Sequence, residues 1–212
     1  ADVGDKANDA VRVSADELRC KVVGEGGNLG FTHAARVEFG LRGGRVNTDA
    51  VDNSAGVDLS DHEVNLKLLL NGVVRRGELN QDERNQILEE MTDEVAGLVL
   101  ADNAAHGRQI SRDKIRSREN IFHFARAIAF VERAFGRTRD TLNLPSNDEL
   151  AQRAQDGAGL TRPELAVLSA WVKIYVKREL MAGKPKDLPG YRALLHAYFP
   201  ERIRTTYPDD ID

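Results

Sequence analysis

Only one cysteine, Cys20, occurs among the 212 residues. The chain can therefore form no internal disulfide, no CxxC pair and no cysteine-based zinc site, and a cytoplasmic compartment is the expectation. Long apolar runs are also missing. Leu66 to Leu70 is broken by Lys67, far short of the roughly 20 residues that a membrane-spanning helix needs. The opening Ala1-Asp2-Val3-Gly4-Asp5 has neither the basic nor the apolar region of a secretory leader, so the chain begins cleanly there or was cut from something longer. Positive charge is not in excess: 34 acidic residues face 30 basic ones, for a net charge of −4. One basic stretch, Arg108 to Arg118, is interrupted by acid and has no interleaved aromatic. Neither nucleic acid nor a membrane is expected as a partner. No HExxH occurs, Asp61 and His62 are adjacent rather than four apart, and His33, His106, His123 and His196 are scattered without ligand spacing. No metal site is expected from these patterns.

The length fits one large domain or two small ones and is ample for a buried core. Up to about residue 57 the texture is glycine-rich, with short apolar runs between turn signals. Lys21-Val22-Val23 leads into Gly24-Glu25-Gly26-Gly27-Asn28, a helical stretch covers about Thr32 to Leu41, and Gly43-Gly44-Arg45-Val46-Asn47-Thr48-Asp49 follows. Strand, helix, strand is the grammar of an α/β unit. Two short strands make no stable open sheet, which hints that the rest of the sheet lies outside this chain.

From Ser60 onward the pattern is helical. Ser60-x-x-Glu63 reads as a capping box, as do Asn80-x-x-Glu83 and Ser146-x-x-Glu149. Ile87, Met91, Val95, Leu98 and Val99 form the stripe of one long helix. Ile121, Phe124, Ala125, Ile128 and Val131 line another over about Glu119 to Phe135, stopped by Gly136. Gly157-Ala158-Gly159 is a flexible break, and Thr161-Arg162-Pro163-Glu164 caps a helix reaching about Leu180. Pro185 and Pro189 mark its exit, and a short helix covers Tyr191 to Tyr198. Trp171 and Tyr175 share a helix face and are expected in a core or interface. Asp102, Glu119 and Glu132 are expected on solvated helix faces.

Two segments carry functional interest. The Gly24-Glu25-Gly26-Gly27-Asn28 turn matches neither GxGxxG nor a P-loop, and a ligand-facing turn and a purely structural one fit it equally. Asn47 to Ser60 crowds polar and small residues where a strand gives way to a helix, a place where α/β folds collect ligands. Asn and Asp side chains satisfying their own backbone would account for that stretch as well, and a capping role would account for Ser60.

These segments resemble the large NAD-specific bacterial glutamate dehydrogenases, whose chains are many times longer. The likeness runs from Asp5-Lys6-Ala7-Asn8-Asp9 through Lys21 to Thr32. It is strongest at Gly43 to Asp49 and at Asp52-Asn53-Ser54-Ala55-Gly56-Val57-Asp58-Leu59-Ser60-Asp61-His62-Glu63-Val64-Asn65, and it returns at Leu160-Thr161-Arg162-Pro163-Glu164-Leu165-Ala166. It implies a partial Rossmann-like front over residues 1–60 and a helical C-terminal domain over residues 61–212, mostly helical overall. It implies NAD as cofactor, with Gly26, Gly27, Asn28, Asn53, Ala55 and Gly56 facing it, and Ser60 contacting the substrate's side-chain carboxylate. L-glutamate and 2-oxoglutarate would be the substrates, in a homo-oligomer completed by the missing remainder of the parent chain. No dinucleotide fingerprint precedes the matched segments and no catalytic residue is assigned here, so the chain alone is expected to be inert. Asp61-His62 stands where the smaller enzymes commonly carry an aromatic pair. A noncatalytic helical regulatory or assembly module is one rival reading, and another amino-acid dehydrogenase is a second. The hydroxyl of Ser60 favours an acidic substrate side chain over an apolar one.

Overall fold

The computed structural model describes residues 4–27, 30–183 and 188–211. It is mostly helical, with one small two-stranded parallel sheet. The chain divides into two compact units that interleave in sequence: residues 1–53 with 106–176, and residues 54–105 with 177–212.

In the first unit, β1 (Val22–Val23), α1 (His33–Leu41) and β2 (Arg45–Val46) follow the expected strand, helix, strand order. The strands pair in parallel, Val22 opposite Arg45 and Val23 opposite Val46. Thr32 starts α1 by accepting the Ala35 N–H on its hydroxyl at 3.2 Å. Ala15, Phe39 and Val46 are buried beneath this front, joined by Leu18, Val23 and Phe31. After β2 comes α2 (Asp49–Asp52). The remainder of the unit is helical: α5 (Thr92–Glu119) from His106 onward, α6 (Ile121–Phe135), α7 (Arg139–Leu142), α8 (Asn147–Gln155) and α9 (Arg162–Ala182) as far as Val176. Its core gathers Val51, Ile110, Ile128, Val131, Leu150, Leu160 and Leu165. Trp171 packs there against Phe135, ring centroids 4.8 Å apart.

The second unit is built from α3 (Ser54–Arg75), α4 (Gln81–Glu90), α5 up to Ala105, the end of α9, α10 (Tyr191–Tyr198) and α11 (Glu201–Thr206). Leu66, Leu70, Ile87, Met91, Val95, Val99, Phe199 and Ile203 form its core.

Local signals hold well. The boxes Asn80/Glu83 and Ser146/Glu149 are both formed, and Gly136 closes α6 in the left-handed region at φ 60°. Two expectations are corrected. Ser60 is no N-cap: α3 starts six residues earlier, at Ser54. Nothing between Ser54 and Ser60 breaks a helix except Gly56, at a cost of about 1 kcal/mol, while Ala55 packs on the second core and the Ser54 hydroxyl accepts the Asn103 amide at 2.6 Å. The long helix expected after Asn80 is two helices, since Met91 ends α4 and its carbonyl accepts the Val95 N–H of α5. The apolar stripe continues across that break, so periodicity alone did not reveal it. Pro185 lies outside the described residues.

Candidate functional site

The glycine turn follows β1 and the polar segment follows β2, so both leave the same end of a parallel pair. The structure brings them together. A methyl group added at Gly26 would lie 3.4 Å from the Asn53 backbone nitrogen and from the Asp52 carbonyl, in van der Waals contact with that peptide. Gly27 has φ 128°, and nothing lies within 4 Å of the place its side chain would take. Both residues are exposed, as is Asn53. The Asn53 backbone N–H ends α2 by donating to the Asp49 carbonyl at 2.8 Å. Asn28 lies outside the described residues. Ala55, Gly56 and Ser60 stand on α3 in the second unit, with Gly56 and Ser60 exposed and Ala55 partly buried.

A polar network that sequence reasoning missed holds the two loops of the first unit. Asp52 accepts the Glu25 backbone N–H at 2.9 Å on one carboxylate oxygen and the Asn47 amide at 2.8 Å on the other. Glu25 in turn caps the returning chain, accepting the N–H groups of Gly30 and Phe31. Arg36, only 2% exposed, donates to Glu25 at 2.6 Å and to the Asn47 carbonyl at 2.8 Å. Arg162, at the start of α9, donates to the Asn47 side-chain oxygen at 2.6 Å and to the Ser111 hydroxyl at 2.7 Å. Burial pulls the Arg162 guanidinium below its usual value, and Asp52 pushes the other way. Buried charges that are paired and hydrogen-bonded in this manner fix geometry rather than add much stability. The available signal was Arg36, a cation set between the apolar Ala35 and Val37 of α1.

Among the described residues, no histidine of this unit belongs to a cluster of possible metal ligands. Burial depresses both His33 and His106, and the Lys173 charge adds to the effect at His106. The Nε2 of His33 is buried without a hydrogen-bond partner. A base whose folded pKa is lowered binds protons more readily in the unfolded chain, so stability is present above the ordinary imidazole value and falls as pH drops through it. The urea midpoint of the first unit, followed by fluorescence of Trp171, is expected to fall from pH 7.5 to pH 5.5. His33→Gln/His106→Gln is expected to flatten that slope, and an unchanged slope would contradict the assignment.

Comparison with known proteins then adds to the geometry. A profile described as bacterial NAD-glutamate dehydrogenase, catalytic domain, matches residues 1–113, and one described as glutamate dehydrogenase, C-terminal, matches residues 157–212. An NAD-specific glutamate dehydrogenase of Mycobacterium tuberculosis is 48% identical over 211 residues, and one of Halomonas elongata is 44% identical over 211. A third, of Pseudomonas aeruginosa, is 47% identical over 209 residues. Each alignment covers 99–100% of this chain, and the chain spans 13% of the length of each of these relatives.

Proposed function

Because the chain belongs to the bacterial NAD-glutamate dehydrogenase family, we propose that it is a segment of an enzyme that oxidatively deaminates L-glutamate with NAD and water, giving 2-oxoglutarate, ammonium and NADH. Residues 1–60 are the C-terminal part of a Rossmann-like NAD-binding domain and residues 61–212 a helical C-terminal domain. The observation that carries the reading is the close approach of Gly26 to the Asp52–Asn53 peptide, at the carboxyl ends of two parallel strands. Binding sites of open α/β sheets collect at that position, and Gly26 and Gly27 carry no side chain to obstruct a cofactor there.

When bound, NAD supplies the hydride acceptor. Gly26 and Gly27 let the main chain come close to it. The exposed amide of Asn53 offers both a donor and an acceptor to the nicotinamide side, and the small residues Ala55 and Gly56 leave room for the ring. Ser60, exposed on α3, donates its hydroxyl proton to the side-chain carboxylate of glutamate. The groups that move protons belong to the remainder of the parent chain, and the isolated 212 residues are inert.

The test is glutamate-dependent NAD reduction by the full parent enzyme, with leucine and NADP as controls. Ser60→Ala is expected to raise KM for glutamate about tenfold or more with kcat little changed, since a hydrogen bond to a charged group is lost from uniform binding. Turnover of leucine as fast as glutamate, or robust NAD reduction by the 212 residues alone, would contradict the proposal.

A further inference from the structure

The buried face of α3 carries Leu66, Leu70 and Val73, and one turn before them it carries His62 where another apolar residue would fit. His62 is 1% exposed, and neither ring nitrogen has a hydrogen-bond partner. Tyr198 stacks on the ring at 4.2 Å with the planes 6° apart, covering one face. The Tyr198 hydroxyl is already engaged by the Asn65 amide at 2.9 Å. Nε2 of His62 lies 4.0 Å from the Oδ1 of Asp58, four residues earlier on α3. The other oxygen of Asp58 is also buried without a hydrogen-bond partner. From α5, Asp102 brings a second carboxylate, and the three ligand atoms all lie within 4.8 Å of one another.

We propose that Asp58, His62 and Asp102 form a binding site for a divalent first-row cation, zinc or manganese, linking α3 to α5 within the second unit. A buried imidazole with two idle nitrogens, facing a carboxylate just too far for a hydrogen bond, is costly as a purely structural arrangement. It is the arrangement expected of a ligand set awaiting its ion. Ligands about 2.0–2.2 Å from a tetrahedral ion sit about 3.3–3.6 Å apart, so ligand atoms that lie within 4.8 Å of one another close on an ion by side-chain shifts of about 1 Å, which the exposed Asp102 carboxylate can make. One neutral imidazole and two carboxylates offset the charge of a divalent ion, and mixed nitrogen and oxygen donors suit zinc or manganese better than calcium. The remaining coordination positions are open to water on the exposed Asp102 side. The spacing Asp58 to His62 is the i,i+4 pair that inspection of Asp61-His62 alone overlooks.

The experiment uses the full parent enzyme, stripped with a chelator, dialysed, and titrated with Zn2+ alone against a chromophoric competitor. The variants Asp102→Asn and His62→Phe are run beside it. The wild type is expected to bind one more tight equivalent of Zn2+ per chain than either variant, with affinity at the missing site lowered at least about tenfold. Zn2+ should also raise the thermal midpoint of the wild type more than that of Asp102→Asn. Asp102 is exposed, so its substitution tests the site even if His62→Phe fails to fold. Equal stoichiometry and affinity in wild type and Asp102→Asn would overturn the proposal and leave His62 a buried base held by Tyr198.

Discussion

In the full parent enzyme, Asn53→Ala is expected to lower kcat/KM for glutamate on the order of 100-fold, the scale that follows when a positioning contact at a reacting ring is lost. The structure makes this substitution a clean probe. Asn53 ends α2 through its backbone N–H, bonded to the Asp49 carbonyl at 2.8 Å, and alanine keeps that bond. Its side chain is exposed, whereas the contacts that hold the loop belong to Asp52, Asn47 and Glu25. Folding should therefore be unaffected: circular dichroism and the thermal midpoint of the variant should match the wild type. Activity equal to that of the wild type would reduce Asn53 to a loop residue, and loss of activity with loss of fold would point to an unrecognised structural role. Leucine and NADP controls separate a positioning defect from a change of specificity.

The second large effect concerns stability. Glu164→Ala is expected to destabilise the first unit by about 3–5 kcal/mol, because it strands a buried cation. Glu164 is 1% exposed and accepts two bonds from Arg153, at 2.8 and 2.9 Å. It also accepts the Thr161 backbone N–H and hydroxyl, both at 2.7 Å, so one carboxylate serves an ion pair and a helix start together. Replacing both partners in Arg153→Met/Glu164→Met removes the charges as well as their attraction and should cost less than Glu164→Ala alone. Trp171 is the only tryptophan and packs in this core, so its fluorescence during urea unfolding of the 212-residue chain reports the first unit. A loss below about 1 kcal/mol, the range of exposed pairs, would mean that solvent reaches the pair after the substitution. A double variant less stable than the single one would show that the pair itself, and not merely the cost of breaking it, supports the fold.

Much of the fold was legible in particular residues. Asn80 with Glu83, Ser146 with Glu149 and the glycine at position 136 mark helix ends by contacts three to five residues apart, and they appear as read. The parallel pairing of β1 with β2 followed from strand, helix, strand order. Ser60 misled because a serine three residues before a glutamate has the form of a cap wherever it stands. Ser54 to Leu59 contains no residue that prevents an earlier start. The break at Met91 escaped notice because Ile87, Met91, Val95 and Val99 keep helical spacing through it.

The candidate site was legible to a different depth. Glycines and asparagines at strand exits led to the proposed ligand site, and the likeness to the dehydrogenase family led to NAD as its proposed ligand. Neither revealed that Arg162 reaches Asn47 across 115 positions, that Arg36 joins Glu25 to the Asn47 carbonyl, or that Asp102 faces Asp58 and His62. Caps, turns and amphipathic stripes depend on neighbours within a turn or two of helix, so residue order carries most of their signal, and it failed at Ser60 and Met91 where a local pattern fitted two structures. Buried ion pairs and ligand sets depend on which faces meet and how much water leaves with them. Only the packed tertiary structure settles that, because the same side chains on an unpacked helix would remain solvated and unpaired.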